Sequence, residues 1–175
     1  AALGWFDSAG IGIQELDNDG KIALVSALLS EYQWEKALNF VQVIGDESLS
    51  KSPALAQLSA LTFLTNAIKA VELRESVLTY IPFAADRFPL ADDSDSIVLR
   101  NRAIELFKIC SDLARHLDAE VVANMADNYV LWLELRNRET HEQAKAQLQS
   151  YFISYTQKTL EYLPLAFAFG IDFDS

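Results

Sequence analysis

The stretch LVSALLSEYQWEKALNFVQVI, residues 24–44, decides the class of fold. Its apolar residues recur at steps of three and four, a spacing that places them on one side of an α-helix. It predicts two helices, about Lys21 to Glu31 and Gln33 to Ile44, joined by a very short turn and ended by Gly45. The apolar contacts of this hairpin are expected from Leu24, Leu28, Ala37, Leu38, Val41 and Ile44.

The following segment begins at a clear helix start signal. In Ser52-Pro53, the serine can accept a hydrogen bond from a free backbone amide, and proline is tolerated in the first helical turn. A helical pattern then runs on to Pro82, where it must stop. We expect it to divide into two helices near Asn66 or Lys69.

Three further helices are predicted at about 96–116, 118–136 and 140–162. Their connections are very short, and short links favour antiparallel neighbours. No Asn-Gly or Asp-Gly turn separates two alternating apolar runs, so hairpins of strands are not indicated. The predicted fold is therefore all-α, a stack of antiparallel helical hairpins forming a segment of an α-solenoid, with about seven to nine helices.

The length of 175 residues favours a single domain over 1–175. The stretch PFAADRFPLADDSD, residues 82–95, carries two prolines and four aspartates and is the clearest connector, dividing the domain into halves 1–81 and 96–175. In this connector Asp92, Asp93 and Asp95 precede a long helix, where an acid or Ser96 can cap it. Because the chain opens with Ala1-Ala2-Leu3-Gly4, we expect it to be a piece of a larger protein.

The charge of the chain restricts its partners. A formal net charge of -11 repels nucleic-acid backbones and anionic lipid headgroups, so nucleic-acid and membrane partners are disfavoured. An acidic surface instead favours a protein or peptide of basic or amphipathic character. Cys110, the one cysteine, cannot form an intramolecular disulfide, and its apolar neighbours at helical spacing predict a buried residue in a cytoplasmic protein.

Two features of the sequence bear on a helical-repeat architecture. Residues 24–44 resemble a tetratricopeptide-type hairpin, with Leu24 on the first helix and Ala37 thirteen residues later on the second, although Val25 and Ile44 stand where that family has small residues. This resemblance implies a scaffold for protein recognition. The sequence LRNR also occurs twice, at 99–102 and 135–138, an interval close to a hairpin period, so it reflects either repetition or chance.

The first candidate site is ELDNDGKIALVS, residues 15–26, which is similar to a calcium-binding EF-hand loop. This resemblance makes Asp17 and Asp19 candidate metal ligands, whereas Glu15 and Ser26 depart from the loop pattern at both ends. The alternative is a turn in which Asp17 or Asp19 caps the helix that follows.

The second candidate site is RNRETH, residues 136–141, which resembles the R-N-x-x-x-H signature of HEPN-family ribonucleases. In that family the arginine and histidine form a metal-independent site, usually shared across a dimer. The resemblance implies that Arg136 stabilises phosphate charge, Asn137 orients, and His141 is the general acid or base.

The alternative for the same residues is a helix junction. Thr140 and Gln143 form a T-x-x-Q capping box, so a new helix should begin at His141, leaving this histidine exposed in the first turn. Five residues of a continuous helix turn through about 140°, so Arg136 and His141 should face different directions unless a dimer joins them.

The sequence thus predicts a non-catalytic helical-repeat module that binds a protein, a peptide or another domain of its own chain, without a cofactor. A metal-independent ribonuclease using Arg136 and His141 is the alternative.

Overall fold

The computed structural model describes residues 12–69, 74, 90 and 92–153, and α-helices dominate these ranges. The helices are α1 (Asn18–Ser30), α2 (Trp34–Val41), α3 (Asp46–Leu49), α4 (Pro53–Ala67), α5 (Ser94–His116), α6 (Glu120–Arg136) and α7 (His141–Ile153). A 3-10 turn, Ile13–Glu15, precedes α1. The β-type pairing in the described part of the chain is one isolated antiparallel bridge between Ile68 and Leu90. The all-α class and the expected number of helices are confirmed.

The first hairpin, α1 and α2, forms where the sequence predicts it. Tyr32 adopts a left-handed conformation with φ of 59°, and the amide of Gln33 donates to the carbonyl of Leu28 at 2.9 Å, so the chain reverses within a few residues. The predicted role of Gly45 is wrong. Its φ of -71° is an ordinary value, and this glycine immediately precedes the short helix α3, whereas α2 already ends at Val41.

The start of α4 is the one predicted from Ser52-Pro53. The Ser52 hydroxyl accepts from the amide of Leu55 at 3.2 Å, and Pro53 occupies the first helical turn. Helix α4 ends at Ala67, next to the break expected near Asn66 or Lys69. The Asn66 amide fixes this end by donating to the carbonyl of Trp34 at 3.0 Å. Of the helical pattern predicted from there to Pro82, only residues 68, 69 and 74 are described.

The C-terminal helices have slightly different bounds from those predicted. Helix α5 begins two residues earlier, at Ser94, because Asp93 caps it by accepting from the amide of Ser96 at 3.0 Å. The α5–α6 turn contains Asp118 in a left-handed conformation, φ of 56°, so α6 begins at Glu120. Helix α7 is described as far as Ile153, and the predicted continuation to Tyr162 lies outside the described residues.

Helix α4 lies at the centre of the helix packing. Helix α4 contacts α1, α2 and α5, α5 contacts α6, and α6 contacts α7. The buried apolar side chains form one continuous cluster drawn from both sides of the connector at 82–95. The largest fully buried members are Trp132, Phe107, Leu24, Leu28, Leu49, Leu55, Leu64, Ile68, Leu106, Leu133 and Leu148.

Two aromatic rings and the cysteine lie in this core. Phe107 of α5 stacks on Tyr129 of α6 with 4.6 Å between ring centroids. Cys110 is fully buried, as predicted, and this burial raises the pKa of its thiol to about 11. Within the described ranges, no helix is both long and apolar enough to cross a bilayer.

Candidate functional site

Asp17 caps the start of α1. The Asp17 carboxylate accepts from the amide of Gly20 at 2.8 Å, which is the predicted alternative to a calcium loop. Residues 18–26 are helical, so they do not form the extended loop that an EF-hand requires. Asp19 lies exposed in the first turn of α1. No cluster of three or more potential metal-ligating side chains occurs in the described part of the chain.

The RNRETH stretch forms the junction between α6 and α7. Helix α6 ends at Arg136, and Asn137 is extended, with φ of -89° and ψ of 127°. The Thr140 amide donates to the carbonyl of Asn137 at 3.2 Å, and its hydroxyl donates to the carbonyl of Glu134 at 2.7 Å. Helix α7 then begins at His141, so the predicted junction is confirmed.

The imidazole of His141 is tied to the end of α6. Its Nδ1 lies 2.7 Å from the carbonyl oxygen of Leu135. Because a carbonyl oxygen only accepts, Nδ1 carries a proton, and Nε2 remains as the second ring nitrogen, 3.9 Å from Oε1 of Glu142. The expectation that His141 is exposed is wrong, since packing against the preceding helix end leaves it half-buried.

A cavity of about 590 Å³ opens at this junction, and we call it the junction cavity. Its lining residues come from the start of α5, the end of α6 and the link to α7: Asp92, Ile97, Arg100, Asn101, Leu135, Arg136, Asn137, Arg138, Glu139, Thr140 and His141. Arg136, Asn137 and His141 therefore border one space within a single chain. One chain can bring these residues to the same cavity because the link 137–140 interrupts the helix, and the shared site across a dimer stays a prediction.

The two LRNR copies meet in this cavity. Asn137 of the second copy donates from Nδ2 to Oδ1 of Asn101 of the first, at 3.2 Å. The two copies lie close together because α5 and α6 run antiparallel. A second contact between these helices, the ion pair of Lys108 with Glu134, lies further along them. The start of α5 therefore lies beside the end of α6.

Arg100 is the unusual residue of the cavity. Its side chain is only 3% exposed, and its Nη2 lies 3.4 Å from Oδ1 of Asp92, whose side chain is 88% exposed. Among the described residues, no atom accepts a hydrogen bond from Nε of Arg100. A buried guanidinium is thus left with one long contact to a carboxylate that is mostly in water, which compensates its charge poorly.

The charge of the cavity differs from that of the whole chain. Among the described residues, its lining carries the guanidinium groups of Arg100, Arg136 and Arg138 and the carboxylates of Asp92 and Glu139. Arginine is thus well represented in the described lining, in a chain with a net charge of -11. Guanidinium groups match the geometry of carboxylate and phosphate oxygens, so the cavity is chemically suited to an oxyanion.

Sequence reasoning found Arg136, Asn137 and His141 but missed Arg100. One signal was available. Arg100 stands four residues after Ser96 and three before Ala103, so it occupies the buried stripe of α5, where a charged side chain is unusual.

No known protein family matches the sequence, and neither curated proteins nor solved structures give a significant match. What the chain binds must therefore be inferred from its own residues and their geometry.

Proposed function

We propose that this chain is a non-catalytic helical module that binds a protein partner, with the junction cavity receiving an acidic group of that partner. The observation that carries this proposal is the incomplete pairing of Arg100 in the cavity wall. A buried cation destabilises a fold unless an opposite charge lies close to it. An acidic group entering the cavity supplies that charge.

The helix packing supports a recognition role. Helices α1 and α2 pack on each other and on α4, and α5, α6 and α7 pack in chain order, which is compatible with the hairpins that the tetratricopeptide-type pattern of residues 24–44 implies. Such stacks bind partners through surfaces that the core does not need. The partner in this proposal is a protein or peptide, or another domain of the same chain, and the setting is the cytoplasm, where the thiol of Cys110 stays reduced.

Residues at the rim of the junction cavity could contact the parts of the ligand on either side of its acidic group. Asp92, Glu139 and Glu142 are exposed, and the net charge of the chain is negative. Basic or amphipathic flanks would be attracted to this rim while the acidic group enters the cavity. The proposed ligand is therefore a mostly basic segment with one acidic centre.

A metal-independent ribonuclease is the second candidate, favoured by the placement of Arg136, Asn137 and His141 on one cavity. In this alternative, Nε2 of His141 would transfer a proton and Arg136 would stabilise a phosphate. The net charge of -11 opposes the approach of RNA, so we rank it below the interaction module.

A peptide array tests the first proposal. It presents basic, amphipathic and acidic peptides, each with and without a phosphorylated residue, to the wild-type chain and to two variants. Arg136→Gln alters the cavity. Arg102→Gln is the matched control, because Arg102 belongs to the same LRNR pattern but pairs with Asp46 and Glu105 outside the cavity lining.

We expect the wild-type chain and Arg102→Gln to bind the same peptides and Arg136→Gln to lose them. The proposal fails if the folded wild-type chain binds none, or if Arg136→Gln binds them equally well. Incubation of a labelled unstructured RNA in EDTA with the wild-type chain and His141→Ala tests the second candidate. Cleavage by the wild-type chain that disappears in His141→Ala would replace the interaction proposal with the ribonuclease.

A further inference from the structure

The turn between α1 and α2 contains a residue type that is unusual at its position. The amide of Tyr32 donates to the carbonyl of Leu29 at 3.1 Å, and the amide of Gln33 donates to that of Leu28 at 2.9 Å. These two bonds close the end of α1 in a pattern whose left-handed residue is most often glycine. Here that residue is Tyr32, with φ of 59°, a conformation that bulky side chains rarely adopt.

The fold makes the same turn a second time with a different residue. Between α5 and α6, the amide of Asp118 donates to the carbonyl of Arg115 at 3.1 Å, and the amide of Ala119 donates to that of Ala114 at 2.8 Å. Asp118, with φ of 56°, is of a residue type that tolerates the left-handed conformation. The turn itself therefore does not require an aromatic side chain at this position.

The ring of Tyr32 is accessible to a ligand. The residue is 53% exposed, and its ring centroid lies 5.5 Å from that of Trp34, which is buried at the start of α2. This contact supports the exposed ring from one side. A tyrosine held in this way buries contact area against a partner at a low cost in conformational entropy.

A groove of about 440 Å³ lies beside this ring, and we call it the Tyr32 groove. Its lining includes residues of the turn, polar residues of α2 and one arginine further along the chain: Tyr32, Gln33, Glu35, Lys36, Asn39 and Arg74. Among the described residues, none lines both this groove and the junction cavity. The two surfaces can therefore be tested separately.

Polar side chains of the Tyr32 groove offer hydrogen-bond donors. Gln33 and Asn39 are exposed, and each carries an NH₂ group. Arg74 donates from Nε to the carbonyl of Ile68 at 3.0 Å, and its other donors are on the Nη atoms. Lys36 already has an interaction partner. The amides and Arg74 therefore suit a ligand that presents acceptors along its length.

We propose that the Tyr32 groove is a docking surface for a proline-rich segment of a partner protein. Proline has no amide N–H, and a polyproline II helix has no internal hydrogen bonds, so its carbonyl oxygens are available as acceptors. Proline-rich segments dock on aromatic side chains, and their preformed helix loses little entropy on binding. In this complex Tyr32 contacts a proline ring, and Gln33 and Asn39 donate to the carbonyls.

Charge disfavours two other ligands of aromatic and basic side chains. Glu35 lines the groove, and Glu31 precedes Tyr32 in the turn; both are exposed. These carboxylates and the net charge of -11 repel a strand of RNA, whose bases would otherwise stack on Tyr32. They repel an acidic peptide for the same reason. A run of prolines carries no charge and meets no such repulsion.

Fluorescence anisotropy with a labelled peptide of about eight consecutive prolines tests the proposal. A peptide with serine in place of each proline is the ligand control, and a labelled single-stranded RNA of similar length tests for nucleic acid. Each is titrated with the wild-type chain and with Tyr32→Phe, Tyr32→Gly and Asn39→Ala. Asp118→Gly is the matched control, because it changes the left-handed residue of the other turn. Guanidinium chloride denaturation measures the stability of each variant.

We expect the proline peptide to bind at least about tenfold more tightly than the serine peptide, which must be ordered on binding. Tyr32→Gly should weaken binding by about tenfold or more, since tyrosine is enriched among the residues that dominate interfaces. Asn39→Ala, at an exposed position that should not affect folding, should weaken it by about threefold or more. Tyr32→Phe keeps the ring and Asp118→Gly leaves the groove intact, so both should bind like the wild-type chain.

Stability separates a role in binding from a role in folding. The denaturation midpoint of Tyr32→Gly should stay the same or rise, because glycine adopts the left-handed conformation freely. A marked fall of that midpoint, with Asp118→Gly unchanged, would show that the ring of Tyr32 serves the fold, and the proposal would be lost.

Three binding results would also overturn the proposal. Equal binding of the proline and serine peptides, or binding of neither, would show that the groove does not recognise proline. Unchanged binding to Tyr32→Gly and Asn39→Ala would place the peptide elsewhere on the chain. Tighter binding of the RNA than of the proline peptide would identify the ligand as a nucleic acid.

Discussion

Replacing Arg100 by methionine is expected to stabilise the fold while weakening the binding of an acidic group in the junction cavity. The variant loses one ion pair of 3.4 Å to a mostly exposed carboxylate, worth at most about 1 kcal/mol. It also removes the desolvation penalty of a buried guanidinium, which amounts to several kcal/mol per ion, and it keeps a side chain of similar length in the same buried position. Asp92 is 88% exposed and so stays solvated without its partner. We expect a net gain in the free energy of unfolding of about 1–3 kcal/mol.

Guanidinium chloride denaturation of the wild-type chain and Arg100→Met measures this change. The midpoint should rise with an unchanged slope. In Arg102→Met, the control, the arginine is 33% exposed and its ion pairs lie near the surface, so the midpoint should stay the same or fall slightly. Destabilisation of Arg100→Met by more than about 1 kcal/mol would show that Arg100 is well paired inside the protein, and the reason for placing an anion in the cavity would be lost.

Three further predictions concern the fold. Leu106→Ala should lower the free energy of unfolding by about 2–5 kcal/mol, because Leu106 is fully buried; a loss below about 1 kcal/mol in chemical denaturation would contradict that burial. Asp93→Ala should destabilise α5 at pH 7. The amide and hydroxyl of Ser96 hold the pKa of Asp93 below its ordinary value of 3.8, so this contribution is present above pH 3.8 and lost as the pH falls through the lowered pKa. The free energy of unfolding, measured from pH 7 to below pH 3.8, should depend less on pH in the variant than in the wild-type chain. An identical pH dependence in the two proteins would refute the cap. Because burial raises the pKa of Cys110 to about 11, its stabilising contribution is complete below pH 9.0 and lost between pH 9.0 and about 11. Iodoacetamide at pH 8 should therefore modify the native thiol far more slowly than the unfolded one, and equal rates would contradict its burial.

Much of the fold follows from local signals. Ser52-Pro53 starts α4 because the serine hydroxyl and the proline ring act within one turn, and this geometry needs no distant contact. The α1–α2 hairpin is likewise predicted locally, from the spacing of apolar residues within residues 24–44. Helix α3 was not predicted, because its four residues are fixed by tertiary contacts: Leu49 is buried, and Ser48 accepts from Nζ of Lys21, which lies 27 residues away.

The candidate site could be predicted only in part. Its motif, Arg136 to His141, is contiguous in sequence and can be read directly. The helix junction within it is also signalled by the local sequence. The convergence of these residues on one cavity depends on the backbone path of the link 137–140, which spacing rules for a continuous helix cannot give. The burial of Arg100 depends in turn on how α5 and α6 pack, so it became visible only in three dimensions.

The most direct test of the proposed function is a titration of the ¹⁵N-labelled chain with a basic peptide that carries one central acidic residue, followed by amide and arginine side-chain NMR shifts. A receptor at the junction cavity predicts saturable changes confined to residues near 97–101 and 135–141, including the Nε–H signal of Arg100, and their loss in Arg136→Gln. Saturable changes centred elsewhere on the chain, or none at a large excess of peptide, would contradict it.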